Sequence, residues 1–480
     1  MLRKASLALA FVVVVAAALY QYGLRVGVDG SGIMPRFVSS APDYEALEAD
    51  RARQRASALP PVAAVQEASA PDSAPAQASR PAPAPVPVAV QPRPRDAWPA
   101  FRGIERDGRY RAAPIRAAWP SQGLTELWRH PIGLGYASFV VADGRAFTIE
   151  QRRAQEVVAA YDVDTGRELW TVGWDGEFRE SMGGDGPRAT PTYHEGRVYA
   201  LGALGELRCL DARTGAVVWR RNILKDSEVG NLTWGMAAAP LIIDDFVVVL
   251  PGGSRERSVV AYDRRSGERR WSALGDQQSY TSPMLATLGG VRQILVVTAS
   301  RVAGLTVDEG RLLWEFPWAN NQGINAAQPL LLGNDRVFLS ASYGSGAAAI
   351  QVTRDGDRFR AEAVWQNQRM KNRFSSSVLH QGHIYGLDES ILTCIDAATG
   401  EARWKAGRYG YGQLMIVDDR LVIVTEDGRV VLVRATPDGH EELASFPAIE
   451  GKTWNHPVIA DGRLIVRNGR EMAAFDIKGN

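Results

Sequence analysis

From residue 139 to the C-terminus the chain alternates between short apolar runs and polar turns, with no apolar periodicity of the helical kind over any long stretch. The segment ATPTYHEGRVYALG shows the unit: two short apolar strands flank a turn at Glu195 and Gly196, ELRCLD supplies a third strand, and AVVWRR a fourth. The third strand runs into a phrase that recurs six times between residues 160 and 405. Its clean copies are AYDVDTGRELW ending at Trp170, CLDARTGAVVW at Trp219, AYDRRSGERRW at Trp271 and CIDAATGEARW at Trp404. GLTVDEGRLLW, ending at Trp314, is weaker, and the copy near Trp365 is degenerate. Each phrase reads as a hairpin. Asp162, Asp211, Asp263 and Asp396 can accept hydrogen bonds from the following backbone, Gly166, Gly215, Gly267 and Gly400 supply positive φ, and the tryptophan packs flat on a neighbouring unit.

A repeat of about 40–50 residues built from four strands predicts an all-β propeller. Entry strands recur at Phe139, Pro191, Pro240, Pro283, Pro329, Ser377, Leu414 and Pro457, which sets the number of blades at eight. GLTELWRHPIG, containing Trp128, reads as an outermost strand with no preceding three, and the last blade, up to Asp476, has three strands and lacks a fourth. The two halves are expected to complete one blade. Such closure leaves no open edge around the ring.

The first 97 residues change character. Arg3 and Lys4 precede ASLALAFVVVVAAALY, an apolar run free of acidic residues. Residues 1–23 are therefore expected to be a signal-anchor that leaves the rest of the chain outside the cytoplasm, in the periplasm and held at the inner membrane. A signal peptide cleaved near Ala16, Ala17 and Ala18, giving a soluble periplasmic protein, is the alternative. Residues 24–97 are expected to form a flexible tether. DYEALEADRARQRASA, residues 43–58, mixes opposite charges at helical spacing and predicts a short solvated helix. The Pro- and Ala-rich stretch that follows predicts an extended spacer, on the order of 100 Å long at about 3.1 Å per residue. The propeller takes residues 98–480.

Composition narrows the partners. Lys and Arg total 55 against 54 Asp and Glu, and no basic stripe appears, which argues against nucleic acid. The two cysteines, Cys209 and Cys394, hold equivalent strand positions in the second and sixth blades and cannot pair; they read as small buried side chains. The six histidines form one close pair, His380 and His383, at a hairpin tip, and no residue is assigned to a metal.

The recurring AxDxxTGxxxW phrase resembles the tryptophan-docking motif of the quinoprotein dehydrogenase propellers, the PQQ-like repeat, over residues 98–480. WPAFRG (Trp98 to Gly103), GDGPRATPT (Gly184 to Thr192), TWG (Thr233 to Gly235), GGVRQ (Gly289 to Gln293) and MKN (Met370 to Asn372) resemble exported bacterial propellers of the PQQ-binding-like type. The repeat is specific for the fold rather than for one function. It also occurs in the propeller lipoprotein of the outer-membrane protein assembly machinery, which binds no quinone. The resemblance to the dehydrogenases implies PQQ on the propeller axis with Ca2+ beside it. This sequence departs from their pattern in having no adjacent cysteine pair, and it has no CxxCH for an attached haem.

The long loops join the outermost strand of one blade to the innermost strand of the next, so they gather on one face around the channel mouth. The residues ahead of the entry strands are expected to ring that mouth: Tyr136, Arg188, Trp234, Tyr280, Asn325, Asn372, Tyr411 and Trp454, with Lys371, Arg373, Asn455 and His456 nearby. Arg188, Trp234, Asn325, Lys371, Asn372 and Trp454 are the candidate binding residues, because aromatic planes, amides and cations suit a flat anionic ligand. The same face could instead receive an envelope protein. Asp185, Glu180 and Glu228 lie on long loops, and nothing singles out one of them as a catalytic base. The expected role is a membrane-tethered periplasmic module that binds a ligand or a protein; a PQQ-dependent alcohol dehydrogenase and a cell-envelope assembly scaffold are the alternatives.

Overall fold

The computed structural model describes residues 24–29, 32–37, 43–57 and 96–479. Residues 1–23 and 58–95, to which the membrane segment and the Pro/Ala-rich spacer were assigned, lie outside the described residues. Among the described residues no helix is long and apolar enough to cross a membrane.

Eight four-stranded antiparallel blades form the propeller, with strands in chain order from the axis outward in blades 1 to 7. Blade 1 consists of Val140–Ala142, Arg145–Arg152, Gln155–Asp162 and Glu168–Asp175. Blades 2 to 7 begin with the inner strands Thr192–His194, Leu241–Ile243, Met284–Leu288, Leu330–Gly333, Val378–His380 and Gln413–Val417. Blade 8 has Val458–Ala460, Arg463–Arg467 and Glu471–Asp476, and its outermost strand is Glu126–Pro131, paired antiparallel to Glu471–Asp476 with Trp128 opposite Ala474. The orphan strand near the start thus closes the ring.

The core lies between blades, where the faces of adjacent sheets meet; Phe147, Val158 and Ala160 of blade 1, for instance, pack with Val198, Ala200 and Leu210 of blade 2. The tryptophans stitch these seams. The indole N–H groups of Trp128, Trp170, Trp219, Trp271, Trp365 and Trp404 donate to main-chain oxygens of Val163, Ala212, Arg264, Val307, Ala397 and Thr436, in each case at the turn of the next blade. All but the Trp404 ring lie where a Cβ on the neighbouring turn glycine would sit: a methyl on Gly267 would come within 2.7 Å of Trp219, and one on Gly400 within 2.5 Å of Trp365. Glycine is required there twice over, for positive φ and for the stacked indole. Trp314 departs from the pattern and donates to Gln293 of its own blade, because blade 5 replaces the tight turn with the long hairpin Gly346–Asp355 and Arg358–Asn367. All eight blades carry a register shift between the two outer strands, opposite the tryptophan position, which turns that side chain into the seam.

Residues 96–110 form a stopper on the face opposite the long loops. Trp98 bridges Val141 of blade 1, Tyr193 of blade 2 donates to Pro99, and Arg109–Tyr110 adds a parallel strand inside blade 7. Two arginines rise from it into the channel. Arg102 donates to the carbonyls of Ser377 and Asp107, and Arg106 to those of Ala239, Pro240 and Pro283. They are 1% and 2% exposed, and burial lowers their pKa values to about 10 and about 9. Both remain charged at neutral pH, held by carbonyl dipoles from several blades.

The expected helix is present as α1, Tyr44–Ala56, capped by Asp43. It is not solvated: Leu47, Asp50 and Arg51 are buried. Arg51 bonds Glu168 of blade 1 and the Pro131 carbonyl of blade 8, and Gln54 meets His130. Charge spacing reads as a soluble helix when the partners of those charges are far away in sequence.

Candidate functional site

The loop face assembles a ring of aromatic and charged side chains around the channel mouth. At blade 1, Tyr136 stacks 5.3 Å from Trp454 of blade 8, and Trp454 lies 4.5 Å from Phe374 of blade 6, which in turn lies 5.2 Å from Tyr411 of blade 7. Trp234 of blade 3 and Tyr280 of blade 4 pair at 5.7 Å on the other side. Three cations sit on these rings. Arg188 lies 5.3 Å from the Tyr136 ring and 4.9 Å from Phe178; Arg373 lies 5.0 Å from Tyr411 and 5.4 Å from Tyr343; Lys452 lies 4.2 Å from Trp454.

Carboxylates hold the loops in place. Glu180 accepts the backbone N–H groups of Met182, Gly183 and Gly184 and has Arg188 at 3.9 Å, while the Arg188 guanidinium donates to Gly184 and Gly186 at 2.7 Å each. Burial pulls the Arg188 pKa down, opposed by the neighbouring Tyr136 and Glu180. Desolvation of the Lys452 ammonium beside Trp454, reinforced by Arg188, lowers its pKa as well, and it donates to the Gly183 carbonyl. Glu426 accepts from Trp454 Nε1 at 3.0 Å and from the Tyr411 N–H. Asp185 caps the Glu180 N–H, and Glu228 pairs with Arg257 at 2.8 Å, so both are engaged in the loop framework.

Of the six candidate binding residues, Arg188, Trp234 and Trp454 stand at the mouth. Asn325 and Asn372 do not present their amides to it. Asn325 is 2% exposed and donates to Thr298 and Trp318; Asn372 is fully buried, donates to Leu387 and accepts from Ser377. Asn455 is used similarly, donating to Ala137. These amides satisfy carbonyls where the chain turns into an inner strand, a backbone requirement that outranks ligand contact. Lys371 faces Asp388 at 3.6 Å, and Asp388 also binds Lys405 at 2.6 Å. His456 is buried beside Arg102, and its pKa is lowered to about 3 by burial and that guanidinium. The mouth also uses residues that the strand count did not reach: Phe178, Tyr343, Phe374, Glu426 and Lys452. Tyr343 has φ +58, and the SYGSG turn around it is the signal that could have marked it.

The residues present do not fit PQQ with Ca2+. The rings of Tyr136, Trp454, Phe374 and Tyr411 meet one another at 4.5–5.3 Å with tilts of 32–54°, a connected wall rather than two parallel faces that would sandwich a flat ring. Cys209 and Cys394 are free, buried and in different blades. Among the described residues no three His, Cys, Asp or Glu side chains are grouped to hold a metal ion.

A family model described as outer membrane protein assembly factor BamB matches residues 154–406. The assembly factor BamB of Bordetella pertussis is 23% identical over 383 residues, covering 75% of this chain and 83% of that protein. Quinohemoprotein alcohol dehydrogenase of Comamonas testosteroni is 32% identical, over 28% of this chain and 19% of its own length. Among solved structures, BamB from Moraxella catarrhalis superposes with a TM-score of 0.53 at 16% identity, over 74% of this chain and all of that one. The Comamonas testosteroni dehydrogenase superposes with a TM-score of 0.57 at 14% identity, over 80% and 81%. At these structural identities the likeness is one of fold. The match across more than half of the sequence assigns the chain to the PQQ-like repeat β-propeller family whose model bears the BamB description.

Proposed function

We propose that this protein is a periplasmic binding module of the cell envelope that receives a protein partner, or an anionic segment of one, at the channel mouth. The observation that carries the reading is the ring of Tyr136, Trp454, Phe374, Tyr411, Trp234 and Tyr280 with Arg188, Arg373 and Lys452 set on its faces. Large aromatic and arginine side chains on a rigid rim are the residue types that carry most binding energy in protein interfaces. The family's assembly-factor description and the relatives of that name support a protein partner over a substrate. In this reading residues 1–23 hold the module at the inner membrane, and no chemical step is assigned to it.

Trp234→Ala combined with Trp454→Ala tests the proposal. Photocrosslinkers placed on the mouth loops of the otherwise native chain should yield a defined envelope adduct that the double variant loses while its unfolding midpoint stays within reach of wild type. Titration with PQQ, with and without Ca2+, should give no saturable binding. Saturable PQQ binding lost in a Trp234→Ala, Arg188→Ala variant would reinstate the dehydrogenase alternative and overturn this one.

A further inference from the structure

Helix α1 does more than decorate the ring. It lies across the seam between blades 8 and 1, the seam next to the blade that the chain closes, and it runs from one face of the propeller to the other. Its first turns meet the mouth side: Glu48 bonds Arg153 at 2.8 Å, and the Arg153 guanidinium lies 5.4 Å from the Tyr44 ring, at the turn between Arg145–Arg152 and Gln155–Asp162. Its last turn meets the stoppered side, where Gln54 accepts the Glu168 N–H and shares a cleft with Ser57, His130, Asp162 and Thr165. Thirteen residues span about 20 Å at 1.5 Å each, enough to cross the edge of a sheet.

The direction has a consequence for both flanking segments. Residue 96 rejoins the structure on the stoppered face, where the Asp96 N–H donates to Asp461 at 2.7 Å. The Pro/Ala-rich stretch 58–95 therefore connects two points on that face and cannot be the spacer between the propeller and the N-terminal segment. The chain before Asp43 departs from the mouth rim. Residues 24–42 alone separate it from the apolar run, and because Leu24–Asp29 folds back antiparallel on Gly32–Phe37, with Leu24 opposite Phe37, the reach from Asp43 to Leu24 is at most roughly 30 Å.

We propose that α1 is a clasp that fixes the propeller with its mouth toward the membrane side, so that a partner at the mouth is met in the layer between the propeller and the bilayer. The inference rests on the reading of residues 1–23 as an anchor for its membrane statement, and on α1 alone for the direction of exit. Arg51 is the centre of the clasp. It is 3% exposed, bonds Glu168 and Pro131, lies 5.3 Å from the Tyr161 ring and pairs with Asp50 at 2.6 Å, so it ties both blades to the helix.

The test uses the full chain, whose native cysteines are buried and unreactive toward bulky dyes under native conditions. A donor at Ser39→Cys is paired in turn with acceptors at Met182→Cys, 67% exposed on the mouth side, and at Arg213→Cys, on the turn of blade 2 at the stoppered face. Energy transfer should be stronger to residue 182, and Arg51→Ala with Leu47→Ala should abolish the preference while leaving the unfolding midpoint of the blades in place. Stronger transfer to residue 213, or no response to the clasp variant, overturns the proposal. In vesicles carrying a headgroup acceptor, the label at residue 182 should lie nearer the lipid than the label at 213, and the reverse order overturns the orientation. A chain recovered in soluble form with the 182 preference intact defeats the anchor reading alone.

Discussion

The seam between blades 2 and 3 offers a test of why this fold needs both its tryptophans and its turn glycines. Trp219 is 8% exposed, packs 6.0 Å from Tyr199 and donates to the Arg264 carbonyl at 3.0 Å. Trp219→Ala should cost about 3–4 kcal/mol, the lower part of the range for a buried aromatic, because Arg264 O keeps a second donor in the Tyr199 hydroxyl at 3.1 Å and is not orphaned. Gly267→Ala carries two separable costs. The backbone at φ +71 costs an L-residue about 1–2 kcal/mol. The added methyl, 2.7 Å from the indole, costs a further 1–3 kcal/mol or so as overpacking. In a Trp219→Ala background the second cost vanishes and the first stays. Equilibrium unfolding in denaturant of wild type, both single variants and the double variant should therefore give a favourable coupling of about 1–3 kcal/mol. A Gly267→Ala penalty that is the same in both backgrounds would refute the idea that stacking, and not φ alone, dictates glycine there.

Three further outcomes follow from other parts of the molecule. Glu156 is fully buried between blades 1 and 2, bonded to Trp174 Nε1 and the Ala203 N–H, and burial raises its pKa to about 7 from 4.5. Its contribution is fully present below the unfolded value and is lost as pH rises through about 7, so Glu156→Gln should flatten the stability profile between those two values, measured by unfolding at each pH. Arg106→Met removes three donor contacts to main-chain oxygens and should lower the melting temperature far more than Arg111→Met, whose guanidinium sits on the surface with Glu105 and Asp107; equal shifts would deny the stopper a structural role. Fractionation of the full chain should place it with the inner membrane, whereas a soluble product beginning near residue 19 would replace the anchor with a cleaved signal.

The architecture was legible because its determinants are local. Asp162 accepts from Asp164 and Thr165 within a single turn, Gly166 takes φ +67, and the phrase repeats, so eight blades and the closing strand could be counted from spacing. The mouth was legible only as a set of positions. Which side chain at such a position faces outward depends on which carbonyl nearby lacks a donor, and this is why Arg188 and Trp454 remain at the rim while Asn325 and Asn372 turn inward. The stopper and clasp were illegible for a related reason. Arg102 and Arg51 look like surface residues in a charged, aperiodic stretch, and their partners lie at Ser377 and Glu168, far along the chain.

The axis shows where this chain satisfies its own backbone. Closing eight blades points the starts of eight inner strands at a common line, and their carbonyls need donors or cations wherever they turn inward. A propeller can meet that need with a ligand, a metal or its own chain. Here the chain supplies it: Arg106 takes oxygens from the entrances of blades 3 and 4, and Arg102 from that of blade 6. With that need satisfied from the stoppered face, a ligand that took the place of Arg102 and Arg106 would leave main-chain oxygens without donors, at a cost of several kcal/mol. Loops around the mouth face no such cost. Their aromatic rings and cations can vary without disturbing the strands that carry them, so recognition in this chain is expected to reside on that rim.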